Sequence, residues 1–286
     1  MRSYQSHGES LKLNGKQIHL DVAACTDKGR VRPINEDSYR ISVDQNLFVL
    51  SDGMGGAAKG EVASAMAVEA VIRSLHENGA DGFPKLFTSS AEPSNGTNSL
   101  VRAIEMANRE IHEHGMRDPG CRGMGSTIVA ARICGTRLSL AHVGDSRAYL
   151  FRADALQQLT SDHSLVAEQV RHGLMSHQQA AASELQSLLT RALGTEESVN
   201  VDADEIELLP GDSLLLCSDG LTRMVPEDEI AAILTQIPSV RIAAERLVSR
   251  ANECGGQDNI TVIVVRLNKP RSWFAKFIPW CSSNLV

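Results

Sequence analysis

Only 4% of the 286 residues are aromatic, and histidine and cysteine are scattered rather than grouped. Cys25, Cys121, Cys134, Cys217, Cys254 and Cys281 form no Cys-x-x-Cys pair, and no Cys/His set has zinc spacing. A zinc module and a disulfide framework are thereby disfavoured, and the thiols read as reduced small hydrophobes of a cytosolic protein. No basic run offsets the net charge of −7, which argues against nucleic acid as a partner. No apolar run approaches the ~20 residues of a membrane span. The opening MRSYQSHGESLKLNGKQ lacks the apolar core of a secretory leader, so the expected location is the cytoplasm.

The composition is otherwise that of a soluble globular chain, with 42% hydrophobic and 22% charged residues. Residues 1–16 read as a polar lead-in and Gln17–Cys25 as a half-buried strand, with further strands near Ser38–Val43 and Leu47–Leu50. Helical spacing over Glu61–Glu77 and around Leu100, Ile104, Ala107 and Ile111 predicts two helices. Ser126–Ile133, Arg137–Val143 and Arg147–Phe151 read as strands on short turns, which favours antiparallel pairing. His163–Leu193 reads as polar and helical, interrupted by glycine, and Leu214–Cys217 as a short buried strand. Helices are expected after Pro226 and over Val240–Asn252, then a β-branched strand at Ile260–Leu267. Strands cluster rather than alternate with helices, so the fold class is α+β with antiparallel sheets, and residues 17–268 are expected to form one domain.

Chemistry concentrates where apolar runs stop. LFVLSDGMGG ends a strand in Asp52, and SLLLCSDGLT repeats the pattern with Asp219. Asp258 stands directly before ITVIVV, Asp145 lies in the HVGDSR turn, and Glu36 and Asp37 follow Arg32. A carboxylate at the end of a buried strand needs a hydrogen bond, an ion pair or a cation. Oxygen ligands without histidine or thiolate suit Mg²⁺ or Mn²⁺ rather than zinc. Carboxylates gathered at strand ends would form a two-metal centre that activates water for attack on phosphorus, and Arg32 would clamp the phosphate. An Asp-Gly after a strand is usually only a turn; the number of such sites and the arginine favour hydrolysis of a phosphate ester.

The ordered set TDKGRVRPINED (26–37), DGMGG (52–56), GMGST (123–127), HVGDSR (142–147), LCSDGL (216–221) and GGQDNIT (255–261) resembles the motifs of the PP2C-type (PPM) metal-dependent serine/threonine phosphatases, in their bacterial form. The resemblance runs over roughly residues 17–267. It implies a four-layer α-β-β-α sandwich of two packed antiparallel sheets flanked by helices. It implies two Mn²⁺ or Mg²⁺ ions, with Asp52 bridging them, the Gly53 carbonyl on one, and Asp219 and Asp258 on the second. Asp37 would act through metal-bound water, and Asp145, sharing Asp219, would hold a weaker third ion. Arg32 would bind the substrate phosphate, and Glu36 and Thr127 would stand behind the ligands. Water between the ions would attack phosphoserine or phosphothreonine directly, with no phosphoenzyme. The implied partners are phosphorylated proteins and a cognate serine/threonine kinase. Residues 161–194 align with the flap beside the family's active site.

Relatives often carry a histidine shortly after this Asp-Gly, where Met54 and Ala57 stand here. The usual proton donor to the leaving alkoxide is missing, and a metal-bound water or a histidine such as His163 is the expected substitute. His142 reads as a structural histidine. The competing function is a catalytically weak phosphoprotein-binding module of the same fold; a phosphodiesterase acting on a small nucleotide is a third. The aromatic tail 269–286, holding both tryptophans, reads equally as an interfacial or partner-contacting helix and as a segment folded over the domain.

Overall fold

The computed structural model describes residues 3–13, 16–54, 59–78, 94–181, 183 and 185–268. The tail 269–286, the stretch 55–58 that includes Ala57, and all of 79–93 lie outside the described residues.

Among the described residues, twelve strands build two antiparallel sheets. The first runs β1 (Ser3–Leu13), β2 (Lys16–Asp27), β12 (Ile260–Asn268), β11 (Ser213–Cys217), β8 (Arg147–Arg152), β9 (Ala155–Gln158). The second runs β10 (Asp202–Glu207), β7 (Arg137–Val143), β6 (Ile128–Cys134), β4 (Leu47–Met54), β3 (Asp37–Ser42). The short β5 (Gly125–Ser126) pairs with the end of β4. The polar stretch expected to be a lead-in is therefore an edge strand, paired with β2 from Ser3↔Thr26 to Leu13↔Lys16.

The uninterrupted apolar runs are explained by burial on both faces of each sheet. In β4, Phe48 and Leu50 point between the sheets, while Leu47 and Val49 face the helices outside. In β12, Ile263, Val265 and Leu267 point between the sheets, and Ile260, Val262 and Val264 face outward. The outer face of the second sheet is covered by α1 (Gly60–Asn78) and α2 (Asn95–Arg117); Leu100, Ala103, Ile104, Ala107 and Ile111 of α2 make one stripe at helical spacing. The outer face of the first is covered by α6 (Glu227–Gln236) and α7 (Val240–Glu253). The result is the expected α-β-β-α sandwich. Three short helices, α3 (Leu165–Arg171), α4 (His177–Ala181) and α5 (Asp219–Thr222), and a 3₁₀ turn at Pro119–Cys121 complete the described elements. The segment expected to be helical over His163–Leu193 thus holds only two short helices, and the rest is turns. Its polar residues hydrogen-bond locally, as Ser176 Oγ does to Gln179, and such bonds compete with helix.

Candidate metal centre

Antiparallel pairing brings the ends of some strands beside the starts of others. One end of the sandwich collects Asp37 at the start of β3, Asp52 near the end of β4, Asp145 in the β7–β8 turn, Asp219 just past β11 and Asp258 just before β12. Asp37 and Asp52 are direct cross-strand partners. The loop between β2 and β3 carries Arg32 and Glu36 to the same place. A cavity of about 140 Å³ is lined by Arg32, Glu36, Asp52, Gly53, Asp145, Asp219 and Asp258, with Thr127 in its wall. All nine residues expected at the site therefore lie at this one end of the sandwich, Asp37 behind Asp52.

Two glycines make this approach possible. A Cβ on Gly220 would lie 2.0 Å from the Asn259 carbonyl oxygen, so only glycine lets the Ser-Asp-Gly turn touch the Gln-Asp-Asn turn. A Cβ on Gly53 would lie 2.1 Å from the Gly60 carbonyl oxygen, where α1 begins against the end of β4. The loop with Arg32 and Glu36 is held by Asn259, whose Nδ2 donates to the Lys28 and Ile34 carbonyls while its Oδ1 accepts from the Glu36 amide at 2.7 Å. Thr127 secures Asp52 at the backbone: its Oγ1 accepts from the Asp52 amide at 3.0 Å and its own amide donates to the Asp52 carbonyl at 2.8 Å. Ser126 Oγ donates to that carbonyl too.

The carboxylates are arranged with one side tied down and the other open. Asp37 Oδ2 accepts from Ser218 Oγ at 2.8 Å and Thr261 Oγ1 at 2.6 Å, while Asp37 Oδ1 is buried without a partner. Asp219 Oδ2 meets Arg223 Nη2 at 2.5 Å, while Asp219 Oδ1 is likewise buried and unpartnered. Removal from water, and then the neighbouring aspartates, hold the carboxyls of Asp37 and Asp52 above the usual range. Desolvation does the same for Asp145 and Asp219, opposed in both by Arg223. Orphaned buried oxygens in a crowd of desolvated carboxylates are a poor arrangement for protein alone and a good one for hard divalent cations. The donor set fits Mn²⁺ or Mg²⁺.

Two guanidinium groups face the acids. Arg32 is half exposed at the mouth, and its Nη2 donates to Asp258 Oδ2 at 2.7 Å, its sole partner among the described residues. Its remaining donors are available to an incoming oxyanion. Arg223, absent from the sequence expectations, reaches Asp219 and, at 3.4 Å, Asp145. Its signal was its spacing, four residues and so one helical turn after Asp219. Ser218, Thr261 and Asn259 were also missed as supports, because serine, threonine and asparagine beside strands have several ordinary uses.

His163 is not a proton donor to this pocket. It is fully buried, its Nδ1 accepts from the Gly144 amide at 3.1 Å, and its Nε2 lies 3.2 Å from Asp202 Oδ2. Burial and the stacked His142 ring, 4.8 Å away between centroids, push its pKa down to about 4. It braces the turn that carries Asp145. His142 is the structural histidine expected, buried and bonded to the Ser161 backbone. Met54 lines the cavity, and no histidine does among the described residues.

The fold and this end of it define a class: an α-β-β-α sandwich with an acidic, cation-competent centre at the strand ends. The family described as "Protein phosphatase 2C" matches residues 29–255, and the chain belongs to it. The serine/threonine phosphatase stp of Listeria innocua is 39% identical over 246 residues, covering 85% of this chain and 94% of the relative. The crystal structure of the Mycobacterium tuberculosis serine/threonine phosphatase PstP/Ppp superposes with a TM-score of 0.76 at 38% identity, covering 88% of this chain and 100% of that one. The catalytic domain of PstP in complex with two manganese ions superposes at 0.74 with 37% identity, covering 88% and 99%. Among the described residues no helix is long and apolar enough to cross a membrane.

Proposed function

We propose that this chain is a metal-dependent serine/threonine protein phosphatase that hydrolyses phosphoserine and phosphothreonine in proteins. The observation that carries the reading is the convergence of five aspartates at one end of the sandwich, two of them with a buried oxygen left open. Asp52, Asp219 and Asp258, with the Gly53 carbonyl and Asp37, are the groups that would hold two Mn²⁺ or Mg²⁺ ions. When bound, the ions supply an activated water for direct attack on phosphorus. The protein's own part is positioning. Arg32 would bind the phosphate oxygens at the mouth and orient the phosphorus toward the acidic floor. Ser218 and Thr261 hold Asp37 by one oxygen, so the other keeps a fixed direction. Glu36 and Thr127 sustain the loop and the strand end from behind.

The finer reading follows the same chemistry. Residues 3–268, the edge strand β1 included, form the phosphatase domain, and 161–194 act as a flap that helps select substrates. This chain acts in the cytoplasm, a cognate serine/threonine kinase and its substrates are the natural partners, and the tail 269–286 is available for a weak interfacial or partner contact. The test is release of phosphate from a phosphothreonine peptide with Mn²⁺, with chelator, and by Asp219→Asn with Mn²⁺. Turnover that needs metal and vanishes in the variant supports the reading. Folded, metal-binding protein with no turnover under any condition replaces it with a phosphoprotein-binding module.

A further inference from the structure

Arg223 occupies an unusual position. The single turn α5 begins at Asp219, and the Arg223 amide closes it by donating to the Asp219 carbonyl at 2.9 Å. That turn lays the arginine back over Asp219, and its guanidinium sits between Asp219 Oδ2 at 2.5 Å and Asp145 Oδ2 at 3.4 Å. The side chain is only 25% exposed and forms part of the wall between the acidic cavity and a larger one of about 800 Å³ beneath residues 160–186. Arg32 differs: it is 48% exposed, stands at the mouth and touches neither of these two aspartates.

Charge balance points the same way. Glu36, Asp52, Asp145, Asp219 and Asp258 line one cavity with Arg32 and Arg223, and Asp37 is paired with Asp52 at its edge. Fully ionised, the six carboxylates less the two guanidiniums leave four negative charges, which two divalent ions neutralise. A third ion would have to enter between Asp145 and Asp219, where the guanidinium already lies.

We propose that Arg223 is a resident cation at the Asp145–Asp219 pair, so that this chain neutralises with its own side chain the position at which the family resemblance expects a third metal ion. The proposal rests on the two-ion reading above. Asp145 then serves to hold Arg223, and through it Asp219, rather than to ligate metal. Arg223 is a positioning residue: it fixes one oxygen of Asp219 and leaves the other directed at the ions.

The test counts Mn²⁺ on the chelator-stripped full chain, by calorimetric titration and by metal analysis after dialysis, with circular dichroism to verify folding. Wild type should take two ions per chain, and Asp145→Asn alone should leave that number unchanged. Arg223→Gln should gain one ion, and Arg223→Gln with Asp145→Asn should lose it again. Arg223→Lys, which keeps the charge, should stay at two. The proposal is overturned if wild type takes three ions and Asp145→Asn removes one. It is also overturned if Arg223→Gln, folded, stays at two and only raises KM for the phosphopeptide, which would make Arg223 a substrate clamp. Should Arg223→Gln fail to fold, wild type against Asp145→Asn and Arg223→Lys decides. Wild type that binds no ion at all sinks the two-ion reading itself.

Discussion

Stripping the metal should give a protein whose stability falls as pH rises, the reverse of ordinary acid denaturation. Asp37 is held out of water beside other aspartates, and its carboxyl is pushed up to about 7. An unfolded aspartate titrates near ~3.9. The folded chain therefore binds more protons than the unfolded chain between these values, and stability is lost across that window as pH increases. Integrating the difference from pH ~5.5 to ~8 gives about 2 kcal/mol for Asp37 alone. Asp145, at about 8, moves in the same direction. Against a total stability of ~5–15 kcal/mol this is large. The assay is urea unfolding of chelator-treated protein at the two pH values, for wild type and Asp37→Asn, with and without Mn²⁺. The metal-free wild type should be weaker at the higher pH, Asp37→Asn should lose much of that difference, and Mn²⁺ should restore stability most where the acids are ionised. A metal-free stability that is flat or rises from pH ~5.5 to ~8 would refute the picture of crowded, desolvated carboxylates.

Other substitutions separate the parts of the site. Gly220→Ala places a Cβ 2.0 Å from a backbone oxygen; it should cost about 1–3 kcal/mol in a melt and weaken Mn²⁺ binding by moving Asp219 from Asp258. Arg32→Ala should reduce kcat/KM for a phosphopeptide by about ten- to a hundredfold, the worth of a charge-assisted hydrogen bond or two, with Mn²⁺ binding retained. His163→Asn should lower the melting temperature yet leave the shape of the pH–rate profile unchanged, because the buried imidazole stays neutral. Loss of one limb of that profile would return His163 to the chemistry.

The parts of the fold that could be read in the sequence are those buried on both sides. LFVL, SLLLC and ITVIVV declare strands because neither face meets water, and the aspartates that end them are conspicuous for the same reason. The stripes of α2 and α7 declare helices. The strands that went unread, Ser3–Leu13, Ala155–Gln158 and Asp202–Glu207, are all sheet edges. An edge strand carries polar and charged residues that discourage further pairing, and these erase the alternation by which a strand is recognised. The site was legible as a set of acids but not as a framework. Nothing in Thr261 distinguishes the hydroxyl that holds Asp37 from a β-branched residue suited to its strand, and Arg223 looks like any cation closing a helical turn. His163 misled for a related reason: a histidine's neighbours decide its role, and Gly144 and Asp202 lie 19 and 39 residues away.

The most direct test of the central claim is to locate the ions. A crystal of the full chain equilibrated with Mn²⁺, measured where manganese scatters anomalously, should show two peaks in the pocket among Asp37, Asp52, Asp219 and Asp258, with Arg223 still between Asp145 and Asp219. A pocket without peaks at saturating Mn²⁺, or a peak seated between Asp145 and Asp219 with the guanidinium swung away, would contradict the account.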